Sequence, residues 1–76
     1  MKLPALKPEE VIKILIKKGF EIKRRKGSHV QLEDNAGRRV TVPLHHGWMI
    51  GKGLLRKIMR DAEISREELF KLLEEI

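Results

Sequence analysis

The hydrophobic period of this chain changes from helical to alternating at Gly19, and that change constrains the fold class most. Before it, Val11, Ile12, Leu15 and Ile16 line one helical face, with Ile14 at its edge. Lys13 and Lys17 point away. Pro8 suits the first position of this helix and Glu9 and Glu10 suit its first turn, although Lys7 is a poor cap. Gly19 ends the helix in a left-handed conformation. From Phe20 the period is two. Phe20, Ile22 and Arg24 alternate with Glu21, Lys23 and Arg25. Val30 and Leu32 alternate with His29, Gln31 and Glu33, and Val40 and Val42 with Arg39 and Thr41. Three antiparallel strands with one apolar face follow.

A one-residue slip would turn a strand over, so parity sets the register. Leu32 opposite Val40 leaves Asn35-Ala36-Gly37 as a three-residue loop with Gly37 left-handed. Ile22 opposite Leu32 places Arg24 against Val30 and Arg25 against His29, around a "KGS" loop. The outer face then carries Lys23, Arg25, His29, Gln31, Arg39 and Thr41.

Pro43 closes the third strand. After "LHHGWMIGKG" a second helix runs from about Lys52 to Arg60. Its apolar stripe is Leu54, Leu55, Ile58 and Met59, with Lys52, Arg56 and Arg60 opposite. Ser65 and Glu68 form a capping box for the last helix, and Ile64 and Leu69 a hydrophobic staple. Leu69, Leu72, Leu73 and Ile76 form its buried side. The order is α-β-β-β-α-α. Helices cover one sheet face, giving a two-layer α+β fold in a single domain over residues 1–76, with 1–6 as a short tail.

Charge narrows the function. Net charge is +6, unevenly spread. Residues 17–60 hold twelve Lys/Arg against three Asp/Glu, whereas residues 61–76 hold two against six. A basic middle beside an acidic last helix points to a polyanion-binding face. The absence of cysteine excludes disulfides, thiolate metal sites and cysteine nucleophiles. The longest apolar runs are a few residues, so no membrane span is expected, and "MKLPAL" lacks the apolar core of a signal peptide. The expected location is cytoplasmic.

The chemistry centres on "RRKGSH", residues 24–29. His29 is either a plain exposed strand histidine or a general acid or base, since imidazole titrates near neutral pH. Lys23, Arg25 and Lys26 around it can hold phosphate, and Ser28 can orient phosphate or imidazole. His45 and His46 could suggest a metal site with His29, but no acidic partner is paired with them, and a structural role for His45 is the stronger reading. Trp48 is read as an anchor of its loop, with base stacking as the weaker alternative. "GKG" at Gly51 to Gly53 opens a helix whose amides could receive a phosphate.

These motifs resemble the HicA family of toxin ribonucleases, also described as YcfA-like. The resemblance runs from about residue 7 to 73. It rests on "VIKILIKKGFEI", on "GSH" at Gly27-Ser28-His29, on "VTVPLH" at Val40 to His45, and on "KGLLRKI" at Lys52 to Ile58, in that order. The longer amino-terminal tail, the poor first cap and the tandem histidine before "GW" depart from the pattern. The resemblance implies a fold like a double-stranded-RNA-binding domain and translation-independent cleavage of messenger RNA. It places the essential histidine at His29 and implies a HicB-type antitoxin as partner.

The resulting expectation is a metal-independent endoribonuclease that needs no cofactor. The 2′-hydroxyl of the RNA attacks the adjacent phosphate and His29 transfers a proton. Lys26 and Arg25 stabilise the transition state. Lys23, Ser28, Lys52, Arg56 and Arg60 complete the RNA-binding set. A non-catalytic RNA-binding module of the same fold, or a protein-interaction module with a basic face, needs the same cations but no histidine.

Overall fold

A computed structural model describes residues 2–45 and 47–76. Three helices and three strands follow in the order α1 (Pro8–Lys18), β1 (Glu21–Lys26), β2 (His29–Glu33), β3 (Arg39–Pro43), α2 (Lys52–Ala62) and α3 (Arg66–Glu75). The fold is α+β. The strands form one antiparallel sheet in the order β1-β2-β3.

Helix α1 starts without a side-chain cap from Lys7. Glu10 compensates, its Oε1 accepting from the Lys7 backbone N–H at 2.9 Å. At the other end Gly19 takes φ of 116°, and the Phe20 N–H donates to the Leu15 carbonyl at 2.9 Å. This left-handed stop turns Phe20 into the core. The buried face of α1 is Val11, Ile12, Ile14 and Leu15, whereas Ile16 is 50% exposed. The apolar stripe is therefore centred nearer Ile14 than the sequence pattern places it.

Val30, Leu32, Val40 and Val42 supply the inner face of the sheet, and all are buried. Helices α1 and α2 pack on β3, and α3 packs on α1. Strand β1 is the edge left beyond their cover. All six of its residues are exposed, including Ile22 at 43%. Ile22 thus pairs with Leu32 as expected but does not join the core.

The first hairpin differs from its expected register. Ile22 faces Leu32, but then Arg24 faces Gln31, Arg25 faces Val30 and Lys26 faces His29, with a bulge at Lys23. The cause lies in the turn. Gly27 has φ of 58° and Ser28 is not left-handed, which suits a two-residue turn with glycine in its first central position. Shortening the loop to Gly27-Ser28 draws Lys26 into the strand, and β1 absorbs the extra residue as a bulge. Arg25 accordingly stands opposite Val30 rather than His29.

The second hairpin follows its expected register. Leu32 faces Val40, Glu33 faces Arg39, and Gly37 has φ of 82°. Asp34 Oδ1 accepts from the N–H groups of Ala36 and Arg38, and Arg38 reaches both Asp34 Oδ2 at 2.8 Å and Glu63 Oε2 at 2.6 Å. Glu63 is the left-handed stop of α2, at φ of 55°, so this ion pair ties the turn to the α2–α3 junction.

Two further expectations change. Residues 1–6, expected as a short tail, are tied to the rest of the fold over their described part. Leu3 and Leu6 are buried, and Leu6 pairs with Ile50 through two backbone hydrogen bonds of 3.2 and 2.6 Å. Ile76 is exposed rather than buried. In α3, Ser65 Oγ accepts from Glu68 N–H as expected, while the Glu68 carboxylate meets Lys18 Nζ at 2.6 Å.

Candidate nucleic-acid interface

Residues directly opposite in an antiparallel pair share a face. The outer face therefore carries Arg24 beside Gln31 and Thr41, Lys26 beside His29, and Arg39 beside Glu33. His29 is the first residue of β2, immediately after the turn, and its side chain is exposed. One shallow depression is lined by Lys26, Gly27, Ser28, His29, Gln31 and Thr41. A second, along the middle of the same face, includes Lys23, Arg24, Gln31, Glu33, Arg39 and Thr41.

The cations of this face are not equivalent. Lys23 Nζ lies 3.3 Å from Glu21, and Arg39 lies 3.6 Å from Glu33. Among the described residues Arg24, Arg25 and Lys26 have no ion-pair partner. The unneutralised charge is thus concentrated at the turn that carries His29. Arg25 belongs to that cluster in sequence but sits on the Val30 side of β1. Lys52, Arg56 and Arg60 are exposed on α2, which packs on the helical side of the sheet. None of them lines either of the two depressions on the outer face.

The structure brings a second imidazole to the same end. The Leu44 N–H donates to the Ser28 carbonyl, which extends the β2–β3 pairing past Pro43. His45 follows directly. Its ring centre lies 6.4 Å from that of His29, with the rings at 78°. The chain then reverses: the Trp48 N–H donates to the His45 carbonyl at 3.1 Å and Gly47 takes φ of 81°. Trp48 packs on His45 with ring centres 4.8 Å apart and planes 38° from parallel. Trp48 does not anchor the loop to the core. It is 68% exposed, and Met49 beside it is also exposed. Ile50 and Leu6 provide the anchor instead. His46 lies outside the described residues.

The family model for the HicA toxin of bacterial toxin–antitoxin systems matches residues 8–64. The chain belongs to the HicA toxin family. No curated protein matches it at the level that would show kinship. The match covers α1, the whole sheet, the His45–Trp48 loop and α2, so every group at the His29 end lies inside it. A HicA toxin is one component of a toxin–antitoxin system, whose other component is an antitoxin. Among the described residues no helix is long and apolar enough to cross a membrane.

Proposed function

We propose that this HicA-family chain is an endoribonuclease that cleaves messenger RNA by proton transfer through His29, without a metal ion. The observation that carries the reading is the position of His29: exposed, on the outer sheet face, opposite the unpaired Lys26 and beside the Gly27-Ser28 turn. A phosphodiester held there by Lys26 lies within reach of the imidazole. The 2′-hydroxyl attacks phosphorus, His29 acts as general base or general acid, and Lys26 stabilises charge on the pentavalent transition state. Ser28 orients the phosphate. Arg24 takes the outer-face position first expected for Arg25, and Arg25 contacts RNA backbone from the rim of the edge strand. Lys23, already paired with Glu21, contributes less.

The antitoxin, in this reading, covers the outer sheet face and blocks His29 directly. Its acidic groups meet Arg24 and Lys26 and speed association.

The deciding assay compares wild type with His29→Ala on purified messenger RNA, with circular dichroism as the folding control. Loss of a positioned acid or base lowers the rate by roughly 10²–10⁴-fold. His29 is exposed, so folding changes by no more than about 0.5 kcal/mol, and RNA binding survives on the remaining cations. Wild-type cleavage persists in EDTA. Equal cleavage by the two proteins would return the face to a binding surface.

The α2 cations are tested separately. If Arg56 and Arg60 hold phosphates, the double change to alanine reduces the salt slope of single-stranded RNA binding by roughly 0.7 per phosphate lost. An unchanged slope makes that helix face merely solvated.

A further inference from the structure

A single imidazole leaves half of the reaction without a proton carrier. RNA cleavage through the 2′-hydroxyl needs one proton removed from O2′ and another delivered to the departing 5′-oxygen. His45 is the side chain that the fold brings to the other side of that gap. The ring centres of His29 and His45 are 6.4 Å apart. Hydrogen bonds to a phosphodiester oxygen are about 3 Å long, so one group seated between the rings can touch both. Both rings are exposed, and neither has a hydrogen-bond partner among the described residues.

His45 is also held in place. The backbone before it is fixed by the Leu44–Ser28 hydrogen bond, on the same turn that sets His29. The ring is backed by Trp48, and the Trp48 N–H closes the following turn on the His45 carbonyl. A histidine serving only to pack this loop would draw the tryptophan inward, yet Trp48 is 68% exposed. Its visible ring contact orients His45.

We infer that His45 is the second proton-transfer group, acting with His29 across the scissile phosphodiester of single-stranded RNA. This rests on the endoribonuclease reading above. One imidazole, neutral, accepts the 2′-hydroxyl proton as O2′ bonds to phosphorus. The other, protonated, gives its proton to the 5′-oxygen as the P–O5′ bond breaks. The products are a 2′,3′-cyclic phosphate and a 5′-hydroxyl end. The pair finishes with the same number of protons, moved from one ring to the other.

The test uses an oligoribonucleotide with one cleavable linkage, made with either oxygen or sulfur at the bridging 5′ position. A thiolate leaves without being protonated, so the sulfur substrate bypasses the general acid and still needs the base. On the oxygen substrate, His29→Ala and His45→Ala should each fall by roughly 10²–10⁴-fold relative to wild type. On the sulfur substrate, one of the two variants, and not both, should return close to the wild-type rate. His45→Gln, which keeps the ring's bulk and a polar end, should match His45→Ala in both assays and so removes a folding explanation. Wild-type rates for His45→Ala on the oxygen substrate overturn the inference. So do equal deficits on both substrates for both variants, because neither imidazole would then be the general acid that the sulfur substrate bypasses. Either result leaves His29 standing. Wild-type rates for His29→Ala would instead overturn the assignment of proton transfer to His29 on which this inference rests, and with it the pair; absence of cleavage by the wild-type protein would overturn the endoribonuclease reading itself.

Discussion

The two turns of the sheet are built from similar materials and treat their polar groups in opposite ways. The Asp34–Arg38 turn uses them internally. Asp34 takes two backbone N–H groups and the Arg38 guanidinium, and Arg38 also holds Glu63. The Gly27-Ser28 turn leaves them open. Arg24, Arg25 and Lys26 have no ion-pair partner among the described residues, and the imidazoles of His29 and His45 have no hydrogen-bond partner. A group already satisfied by the fold stabilises it, whereas a group left solvated is free to exchange water for a ligand. The comparison therefore separates the end of the sheet that holds the molecule together from the end whose polar groups are left open, the one that meets RNA in the function proposed above.

The largest effect expected from this contrast is on affinity. Trp48 presents most of its ring to solvent next to His45, where a nucleobase beside the bound phosphodiester can stack on it. Base–aromatic stacking is worth about 1–3 kcal/mol per base. Trp48→Ala should weaken single-stranded RNA binding by that amount, while Asn35→Ala at the opposite turn should leave it unchanged. Fluorescence anisotropy with a labelled oligoribonucleotide reads both. Equal affinities for wild type and Trp48→Ala would mean that the ring serves only to orient His45.

A paired substitution sharpens the contrast. Gly27 and Gly37 are both left-handed, at φ of 58° and 82°. No atom lies within 4 Å of where a Cβ would stand at either position, so alanine meets backbone strain and no clash. Each change should cost about 1–2 kcal/mol of stability. Gly27→Ala should also lower cleavage, because Ser28 and His29 are set by that turn. Gly37→Ala should lower melting temperature alone. Equal losses of activity, measured well below both melting temperatures, would show that the two ends are not functionally distinct.

Much of this arrangement was legible in the sequence, and the failures have physical causes. The change of period at Gly19 located α1 and the sheet, and the alternation of Val30, Leu32, Val40 and Val42 set the second hairpin correctly. The first hairpin shifted because parity assumes one residue opposite one. The missed signal was Gly27 itself. A left-handed residue in the first central position makes Lys26 a strand residue, and β1 then has one residue too many. Ile22 failed for a different reason: alternation identifies a face, not whether a helix reaches that far along the sheet. Leu3 and Leu6 looked like a tail because their partner, Ile50, is distant in sequence. His45 was half legible. Pairing Leu32 with Val40 already sets His29 against Pro43, two residues from His45. The turn that stacks Trp48 on its ring has no comparable pattern.

The smallest expected effect concerns the stabilising end and its pH dependence. The Arg38 hydrogen bond, followed by its charge, holds the Glu63 carboxyl below the usual range. For Asp34, burial pushes the carboxyl up, but the hydrogen bonds from Arg38 and the backbone N–H groups together outweigh this and leave it lowered. A carboxyl lowered on folding contributes stability that is present above its unfolded value, about 4, and is lost as pH falls through its folded value. Arg38→Ala removes the partner of both groups. It should lower the melting temperature modestly at neutral pH, since these pairs are partly solvated and screened. The gap between variant and wild type should then narrow as pH falls below about 4, where wild type loses the same contribution by protonation. A gap that stays constant with pH would mean that Arg38 acts through packing of its stem and not through charge. Cleavage at neutral pH should be unaffected, because the guanidinium is committed to Asp34 and Glu63 at the turn away from His29. A loss of cleavage in folded Arg38→Ala would join the two ends that the structure keeps apart.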